Sequence, residues 1–484
     1  MSLWAVLPAA VPLLTATLCA AAFARPSLQR GISTVGAIAL LLIAVGTLGA
    51  VVEGDAVSVA FGDWDSPFGI LFRVDRLGAA MILAAAVIGA ATMLYGNSGA
   101  DAAPAHPMRR PLVHGVLAGV VGAFSTADLF NLYVWFEVSL ISALGLLALG
   151  QRTDQLDAAF KYLALNLFGT LMLLAAVGAL YAATGQLQFD AIGAALQRLP
   201  DGTALVLVGA LTVAFLFKAA AVPLFAWLPA SYHTLPTPLL ALFGGLLTKV
   251  GVYAVLRTFG DAFAPAPDAL VAALGWVAVA TMLVGALGAA YHWDLRRILA
   301  FHIVSQVGYV LLAIAIGGEA GSSAALFYTL HDMIAKTNLF LIAGLMAASA
   351  GSFDLRQIGG LYKARPALAL LFALPALALV GIPPLSGFWA KWMVLRAALA
   401  DGQVAWAVAV FGVSVLTLYS MMKLWMEGFW KPHPIEGWRP SRATHPRAWA
   451  ACLLLAGITV AIGVAPQAFV QYTQAMAVGL GATP

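Results

Sequence analysis

Long apolar runs follow one another from end to end of the chain, separated by short stretches that hold charges, glycine and proline. Each run has about 20 residues, enough for a helix to cross the hydrocarbon core of a bilayer. The pattern predicts an all-α polytopic membrane protein with about fourteen transmembrane helices. The predicted spans are residues 3–24, 31–53, 74–95, 111–127, 129–150, 159–183, 203–235, 237–257, 269–291, 296–317, 321–349, 366–400, 402–427 and 447–470.

Spans seven and twelve are longer than the others and contain proline near the middle. Proline removes a backbone donor and clashes with the preceding turn, so both helices are expected to be discontinuous. The expected breaks lie at Pro223 in span seven and at Gly381, Pro383 and Pro384 in span twelve.

The two breaks have lysines on opposite sides, since Lys218 precedes the first break and Lys391 follows the second. This reversal predicts two inverted five-helix repeats, which is a typical arrangement in transporters. The predicted organisation is an N-terminal group of spans in residues 1–110, repeats in 111–257 and 269–427, and a loop with span fourteen in 428–484.

The composition agrees with this class, since 62% of residues are hydrophobic and 10% are charged. Of the 25 lysines and arginines, fifteen lie in the loops after odd-numbered spans or at the span ends beside them, and five in or beside the loops after even-numbered spans. Cytoplasmic loops are enriched in lysine and arginine, so the odd loops are predicted in the cytoplasm and both termini outside the cell membrane. The net charge of +4 gives no reason to expect a nucleic-acid partner.

A few charges fall deep inside predicted spans: Glu137, Lys218, Lys249, Lys336 and Lys391, with His331 and Asp332 within about a turn of Lys336. Charges at that depth are costly and usually mark ion pathways. Burial disfavours a charged ammonium and a nearby carboxylate favours it, so a lysine under both influences can gain and lose a proton. We therefore predict that Glu137 pairs with Lys218 and that Asp332 supports a proton relay. The predicted relay residues are Glu137, Lys218, Lys249, His331, Lys336 and Lys391. The alternative is that the charges only fix helix packing.

Other polar groups occur between the deep charges and could order a chain of water molecules: His233, Thr248, His302, Ser305, Gln306 and Tyr309. Taken singly, a histidine or threonine of this kind is usually a satisfied side chain in the protein core. Nucleotide-binding, nucleophile and metal-ligand motifs are absent from the sequence. We therefore predict neither a metal nor a cofactor, and a transporter subunit rather than an enzyme.

Several segments together resemble the antiporter-like proton-translocating subunits of respiratory complex I, membrane-bound hydrogenases and Mrp sodium/proton antiporters. They are FEVSLIS, LFKAAAVPLFAWLPASYHTLPTP, LLTKVGVY, DLRRILAFHIVSQVGYV, HDMIAKTNLFL and GIPPLSGFWAKW. Within the family, PFGILFRVDRLGAAMILAAA and YHWDLRRILAFHIVSQVGYV look most like the D-type subunits of Mrp antiporters. The family implies fourteen spans and two inverted five-span units.

The resemblance also implies roles for individual residues. Glu137 matches the glutamate that pairs with the lysine of span seven, Lys218, and Lys249 matches the central lysine of span eight. His331 and Lys336 match the relay of span eleven, and Lys391 matches the terminal charge of span twelve. The position after His331 is often a second histidine in the family, and here it is Asp332.

The implied function is proton translocation within a hetero-oligomeric monovalent cation (sodium)/proton antiporter, with the other antiporter subunits, the lipid bilayer, protons and a cation as partners. The alternative is a proton-pumping subunit of a complex I-type NADH:quinone oxidoreductase or a membrane-bound hydrogenase. In that case the same relay would be driven by redox chemistry.

Overall fold

The computed structural model describes residues 3–61, 69–100, 106–263, 266–441 and 445–480, with the backbone alone at 261 and 262. The described part contains nineteen α-helices and one β-hairpin. The first half comprises α1 (Leu7–Ala21), α2 (Pro26–Gly54), β1 (Ala56–Ala60), β2 (Leu71–Asp75), α3 (Arg76–Gly96), α4 (Arg109–Ser125), α5 (Leu129–Ala148), α6 (Thr153–Thr184), α7 (Phe189–Leu196), α8 (Asp201–Ala219), α9 (Trp227–Ser231) and α10 (Thr237–Arg257). The second half comprises α11 (Asp268–Tyr291), α12 (Leu295–Ile316), α13 (Gly318–Ala350), α14 (Leu361–Ala364), α15 (Pro366–Val380), α16 (Ser386–Ala400), α17 (Val404–Trp425), α18 (Pro446–Val464) and α19 (Pro466–Gly479).

Eleven helices in the described residues are long and apolar enough to cross a bilayer, and α1 and α15 are shorter apolar helices. The predicted class, an all-α polytopic membrane protein, is confirmed. The count of fourteen spans stays a prediction, because interrupted helices divide a single crossing into pieces shorter than a bilayer.

Both helices that were predicted to be discontinuous are interrupted in the structure. Helix α8 ends at Ala219, where Ala220 turns to a left-handed conformation with φ 60°, and α9 begins only at Trp227. Helix α15 ends at Val380, and α16 begins at Ser386. The Val222–Pro223 and Pro383–Pro384 peptide bonds, one in each gap, are cis.

Helices α10 and α13 form the centre of the bundle and pack against each other. Every residue of α10 is buried, and α13 is buried along almost all of its length. A helix that is hydrophobic all round belongs in such an interior position. Polar residues on these two helices therefore face the protein interior and not lipid or bulk water.

Glycine allows close contact between α8 and α10. A Cβ atom on Gly251 of α10 would lie 2.4 Å from the backbone nitrogen of Ala219 in α8. Small residues let membrane helices approach until their backbones touch, which strengthens packing where the hydrophobic effect is weak. The contact fixes the end of α8, and with it Lys218, against α10.

A β-hairpin precedes α3, and residues 62–68 between its two strands lie outside the described residues. Strands β1 and β2 pair antiparallel, with Ala56 opposite Asp75. Asp75 caps α3 by accepting from the backbone of Gly78 and forms an ion pair with Arg257 at the end of α10, at 2.5 Å. Burial alone would raise the pKa of Asp75, but the Arg257 guanidinium outweighs it and the pKa falls to about 2.

Replacing Gly251 with alanine should lower the thermal midpoint of the purified protein, because the new methyl group has no room beside the α8 backbone. Gly209→Ala in α8 is the control, since a Cβ there meets nothing within 4 Å. Alanine stabilises a helix interior by roughly 0.5–1 kcal/mol over glycine, so Gly209→Ala should be neutral or stabilising. Equal midpoints for the two variants would contradict the tight contact.

The Asp75–Arg257 pair should make stability depend on pH. The carboxyl pKa is about 2 in the fold against an ordinary value of 3.8, so its contribution is complete above pH 3.8 and is lost as pH falls toward 2. Asp75→Asn should lose about 2 kcal/mol at pH 7, and its thermal midpoint should fall less steeply than that of the wild type as pH is lowered from 3.8 toward 2. Asp157→Asn removes an exposed pair with Lys161 and should change little. An Asp75→Asn protein as stable as the wild type at pH 7 would refute this role.

Candidate functional site

Glu137 of α5 and Lys218 of α8 are joined through a third residue, Thr170 of α6. The Lys218 ammonium donates to the Thr170 hydroxyl at 2.8 Å, and that hydroxyl donates to the Glu137 carboxylate at 2.7 Å. Lys218 is buried, with 5% of its surface exposed, and its ammonium also lies 5.7 Å from the centre of the Phe136 ring. The predicted association of the two charges is present, but a hydroxyl bridges them instead of a direct contact.

A second cluster lies where α10 and α13 pack together. The ammonium of Lys249 lies 2.6 Å from the carboxylate of Asp332, and the ammonium of Lys336 lies 3.9 Å from the same carboxylate. All three side chains are at most 2% exposed. Asp332 and Lys336 are four residues apart, so they share one face of the helix. One carboxylate thus stands between two ammonium groups in an interior that strengthens each attraction.

Around this cluster, several buried polar atoms find no hydrogen-bond partner among the described residues. They include the hydroxyl of Thr248 and the ammonium of Lys336. Buried polar groups in proteins are normally satisfied by a protein group or by an ordered water molecule. The cluster therefore has the chemistry needed to hold water between its members.

The third group lies at the break between α15 and α16. The Lys391 ammonium donates to the backbone carbonyl of Val380 at 2.9 Å and lies 5.0 Å from the centre of the Tyr309 ring. In an unbroken helix the Val380 carbonyl would accept from residue 384, but Pro384 has no N–H. Pro384 thus interrupts the helix and leaves the Val380 carbonyl free to accept the hydrogen bond from Lys391.

His331 connects the central cluster to this break. Its Nδ1 lies 2.8 Å from the hydroxyl of Ser386, the first residue of α16. A Cβ on Gly387 would lie 2.9 Å from the imidazole Nε2, so a side chain there would collide with the ring. Lys336 and Lys391 are close enough to interact electrostatically with each other and with His331.

Helix α12 supplies four of the polar side chains predicted to support the relay. His302 bonds to Ser420 at 2.7 Å and lies within electrostatic range of Lys336 and Lys391. Gln306 accepts a hydrogen bond from Tyr328, a residue that the sequence reading missed. The remaining two side chains are also bonded, Ser305 to the Met282 carbonyl at 3.0 Å and Tyr309 to Ser414 at 3.0 Å.

His233 lies apart from the buried charges, and the supporting role predicted for it stays a prediction. Its Nδ1 lies 3.1 Å from the Pro229 carbonyl, and its Nε2 lies 3.0 Å from the guanidinium of Arg297 near the start of α12. The sequence shows that His233 follows the break of span seven, but it does not determine the direction of the chain after that break.

The predicted row of charges divides into two parts. Glu137, Thr170 and Lys218 form one part, and the residues from Lys249 to Lys391 form the other. In the described part of the chain, no hydrogen bond or ion pair joins Lys218 to Lys249, although α8 and α10 touch at Gly251. Among the described residues, no group of three or more His, Cys, Asp or Glu side chains is placed to hold a metal ion.

Comparisons with known proteins agree with the resemblance seen in the sequence. A family model for the transmembrane region of NADH:quinone oxidoreductase/Mrp antiporter proteins matches residues 126–417. The D-type subunit of the Na(+)/H(+) antiporter of Alkalihalophilus pseudofirmus is 36% identical over 88% of this chain and 86% of that protein. The corresponding Na(+)/H(+) antiporter protein of Bacillus subtilis is 33% identical over 89% of this chain and 87% of that protein.

Among solved structures, a chain of the Mrp complex from Dietzia sp. superposes with a TM-score of 0.92 at 32% identity, covering 99% of this chain and 98% of that one. A chain of respiratory complex I from Thermus thermophilus superposes with a TM-score of 0.83 at 25% identity, covering 99% of this chain and 100% of that one. The family model covers more than half of the chain, and the identities hold over most of its length. The chain therefore belongs to the NADH:quinone oxidoreductase/Mrp antiporter transmembrane family.

Proposed function

We propose that this chain is the proton-translocating subunit of a multi-subunit sodium/proton antiporter of the Mrp type. The observation that carries the proposal is the set of four lysines in the protein interior, Lys218, Lys249, Lys336 and Lys391, each at most 8% exposed. Buried charges at this density are costly and have a functional role as a rule. Similarity to D-type antiporter subunits over most of the chain supports the antiporter over a redox-driven complex, to whose chains identity is lower.

In this proposal the first cluster works as a switch. A proton can leave Lys218 for the Thr170 oxygen while the Thr170 hydroxyl passes its own proton to Glu137. The threonine ends unchanged, the lysine becomes neutral and the carboxylate becomes protonated, so a charged pair turns into a neutral one. Such a change alters the field felt by neighbouring helices and can bias a conformational equilibrium.

The second cluster carries the proton onward. The Lys249 ammonium lies closer to the Asp332 carboxylate than the Lys336 ammonium does, so Lys336 exchanges its proton more freely. His331 and water can relay that proton toward Lys391 at the break. The Asp332 carboxylate neutralises the charge of one of the two lysines, Lys249 or Lys336. It therefore limits the net positive charge of the cluster while a proton passes through it.

The proposed topology follows from the distribution of cations. Loops after odd spans face the cytoplasm, and both termini lie outside. Residues 111–257 and 269–427 form two inverted units between the flanking segments 1–110 and 428–484. The interrupted helices support this division, since Lys218 lies before its break and Lys391 after its own.

Removing the Thr170 hydroxyl should stop proton transfer from Lys218 to Glu137. In the whole complex reconstituted into vesicles, Thr170→Val should lower antiport roughly tenfold or more, toward the level of Lys218→Ala, as expected on losing a positioned proton carrier. Thr170→Ser keeps the hydroxyl and should stay near wild type. Normal antiport by an assembled Thr170→Val complex would reject the bridge as a proton path.

Removing Asp332 should stop transfer through the central cluster. Asp332→Asn leaves Lys249 buried without its partner, and breaking a buried pair costs about 3–5 kcal/mol, so assembly must be checked by size-exclusion chromatography. The double variant Lys249→Gln/Asp332→Asn removes both charges and should assemble, yet show little vesicle antiport. Asp354→Asn, at an exposed pair with Arg356, should transport normally. If the double variant assembles and transports normally, the charges serve packing alone.

A further inference from the structure

One side of α6 carries buried polar side chains in the first half of the helix and none in the second half. These residues, here called the α6 polar stripe, are Gln155, Tyr162, Asn166 and Thr170. Each is at most 3% exposed, and their spacing by seven, four and four residues places them on one side of the helix. Past Thr170, the buried residues of α6 are all apolar: Leu173, Ala176, Val177 and Leu180.

The stripe ends at the cluster of Lys218 and Glu137. The Thr170 hydroxyl accepts a hydrogen bond from the Lys218 ammonium at 2.8 Å and donates one to the Glu137 carboxylate at 2.7 Å. Apolar side chains neither carry a proton nor hold water, so the buried residues of α6 connect this cluster toward the start of the helix alone. The asymmetry indicates access to the cluster from one side of the bundle.

The spacing within the stripe fits a chain of water molecules. Tyr162, Asn166 and Thr170 follow one another by four residues, which is about 6 Å along an α-helix. One water molecule bridges about that distance with two hydrogen bonds. The Asn166 amide donates to the Tyr162 carbonyl at 3.0 Å, and an amide also has a second N–H and an acceptor oxygen with which to bind water.

Two buried polar atoms beside the stripe indicate water independently. The Tyr232 hydroxyl and the Gln155 side-chain oxygen have no hydrogen-bond partner among the described residues. Such atoms are normally satisfied by a protein group or by an ordered water molecule. The rings of Tyr162 and Tyr232 both pack edge-on against Trp227 of α9. Tyr162 lies within electrostatic range of Tyr232 and of Glu137, so these groups share one polar region.

The stripe begins at the exposed end of α6. The Gln155 amide donates to the backbone carbonyl of Thr234 at 3.0 Å, and the exposed Arg152 donates to the same carbonyl at 3.4 Å. Arg152 also pairs with the exposed Asp154 at 2.9 Å. In the proposed topology this end of α6 faces the cytoplasm, because it follows span five. Polar groups thus extend from the cytoplasmic surface to Thr170.

We propose that the α6 polar stripe is a cytoplasmic half-channel, in which Tyr162 and Asn166 position the water that delivers protons to Lys218. This inference rests on the proposed function, since it requires that Lys218 loses and regains a proton. In the delivery step the last, protonated water passes a proton to the Thr170 oxygen, while the Thr170 hydroxyl passes its own to the neutral Lys218 amine. The threonine ends unchanged, the lysine gains one positive charge, and Tyr162 and Asn166 keep their own protons.

Radiolytic footprinting of the purified whole complex tests for this water directly. An X-ray pulse converts water into short-lived hydroxyl radicals, which oxidise the side chains that touch it, and mass spectrometry locates the products. Tyr162 should be oxidised in the wild type and lose that oxidation in Asn166→Leu, which has the shape of asparagine without its hydrogen-bonding groups. Phe215 of α8 is the control, because its ring is fully buried and should stay unmodified. A wild-type Tyr162 as unreactive as Phe215 would overturn the half-channel.

Antiport by the complex reconstituted into vesicles tests the positioning role. Asn166→Leu should lower antiport roughly tenfold or more, the loss expected when a proton carrier is no longer positioned. Asn166→Ser leaves space and a hydroxyl for water and should restore most of the rate. Thr184→Val removes a hydroxyl at the other end of α6 and should leave antiport unchanged. Wild-type antiport by an assembled Asn166→Leu complex would refute the role.

The two readouts separate this inference from the proposed function. If Lys218→Ala transports normally, the proposed function and the delivery step both fail, and the oxidation of Tyr162 still decides whether the stripe holds water. If Lys218→Ala is inactive and Tyr162 is unreactive, the proposed function stands and protons reach Lys218 by another route.

Discussion

The cost of holding an ammonium group away from water governs the interior of this protein. Lys249 and Lys336 lie on the two most buried helices, where only a carboxylate or a hydrogen-bond acceptor can compensate for lost hydration. Asp332 supplies that carboxylate at 2.6 Å from Lys249. Because buried pairs rarely add net stability over apolar packing, a structural purpose alone explains them poorly. A charge retained at this cost is better explained by a function that needs it.

Lys218 and Lys391, the two lysines near the helix breaks, compensate for lost hydration with different acceptors. Lys391 uses a backbone carbonyl that Pro384 leaves without a donor, so the helix break itself provides the acceptor. Lys218 lies before its break and uses the side-chain hydroxyl of Thr170. A carbonyl can only accept, whereas a hydroxyl can accept one proton and donate another. The Lys218 end and the Lys391 end of the row are therefore chemically different. Only at the Lys218 end can proton transfer through the Thr170 hydroxyl convert a charged pair into a neutral one.

The sequence predicted much of this arrangement, for reasons that are local. Proline inside an apolar run interrupts a helix, so the two breaks could be located from the sequence. A lysine inside such a run is expected to be buried, so the deep charges could be located as well. The partners could not be located, because they depend on how α10 lies against α13 and α6 against α8. Thr170 resembles any other threonine in an apolar span, and Asp332 pairs across helices with Lys249, 83 positions earlier by residue number. His233 is a different case, since its polarity suggested the interior but its imidazole contacts Arg297 near the start of α12.

The separation of Lys218 from Lys249 bears on how the two parts of the row communicate. Their side chains share no hydrogen bond or ion pair within the described residues, but their helices touch at Gly251, two residues after Lys249 and against the backbone of Lys218 and Ala219. A displacement of the end of α8 therefore meets the backbone of α10 directly. Close-packed contacts deform little and tend to switch between discrete arrangements. Neutralising the Lys218–Glu137 pair can thus shift Lys249 through the contact between α8 and α10. The proton itself crosses from Lys218 to Lys249 only when water or a side-chain movement connects them.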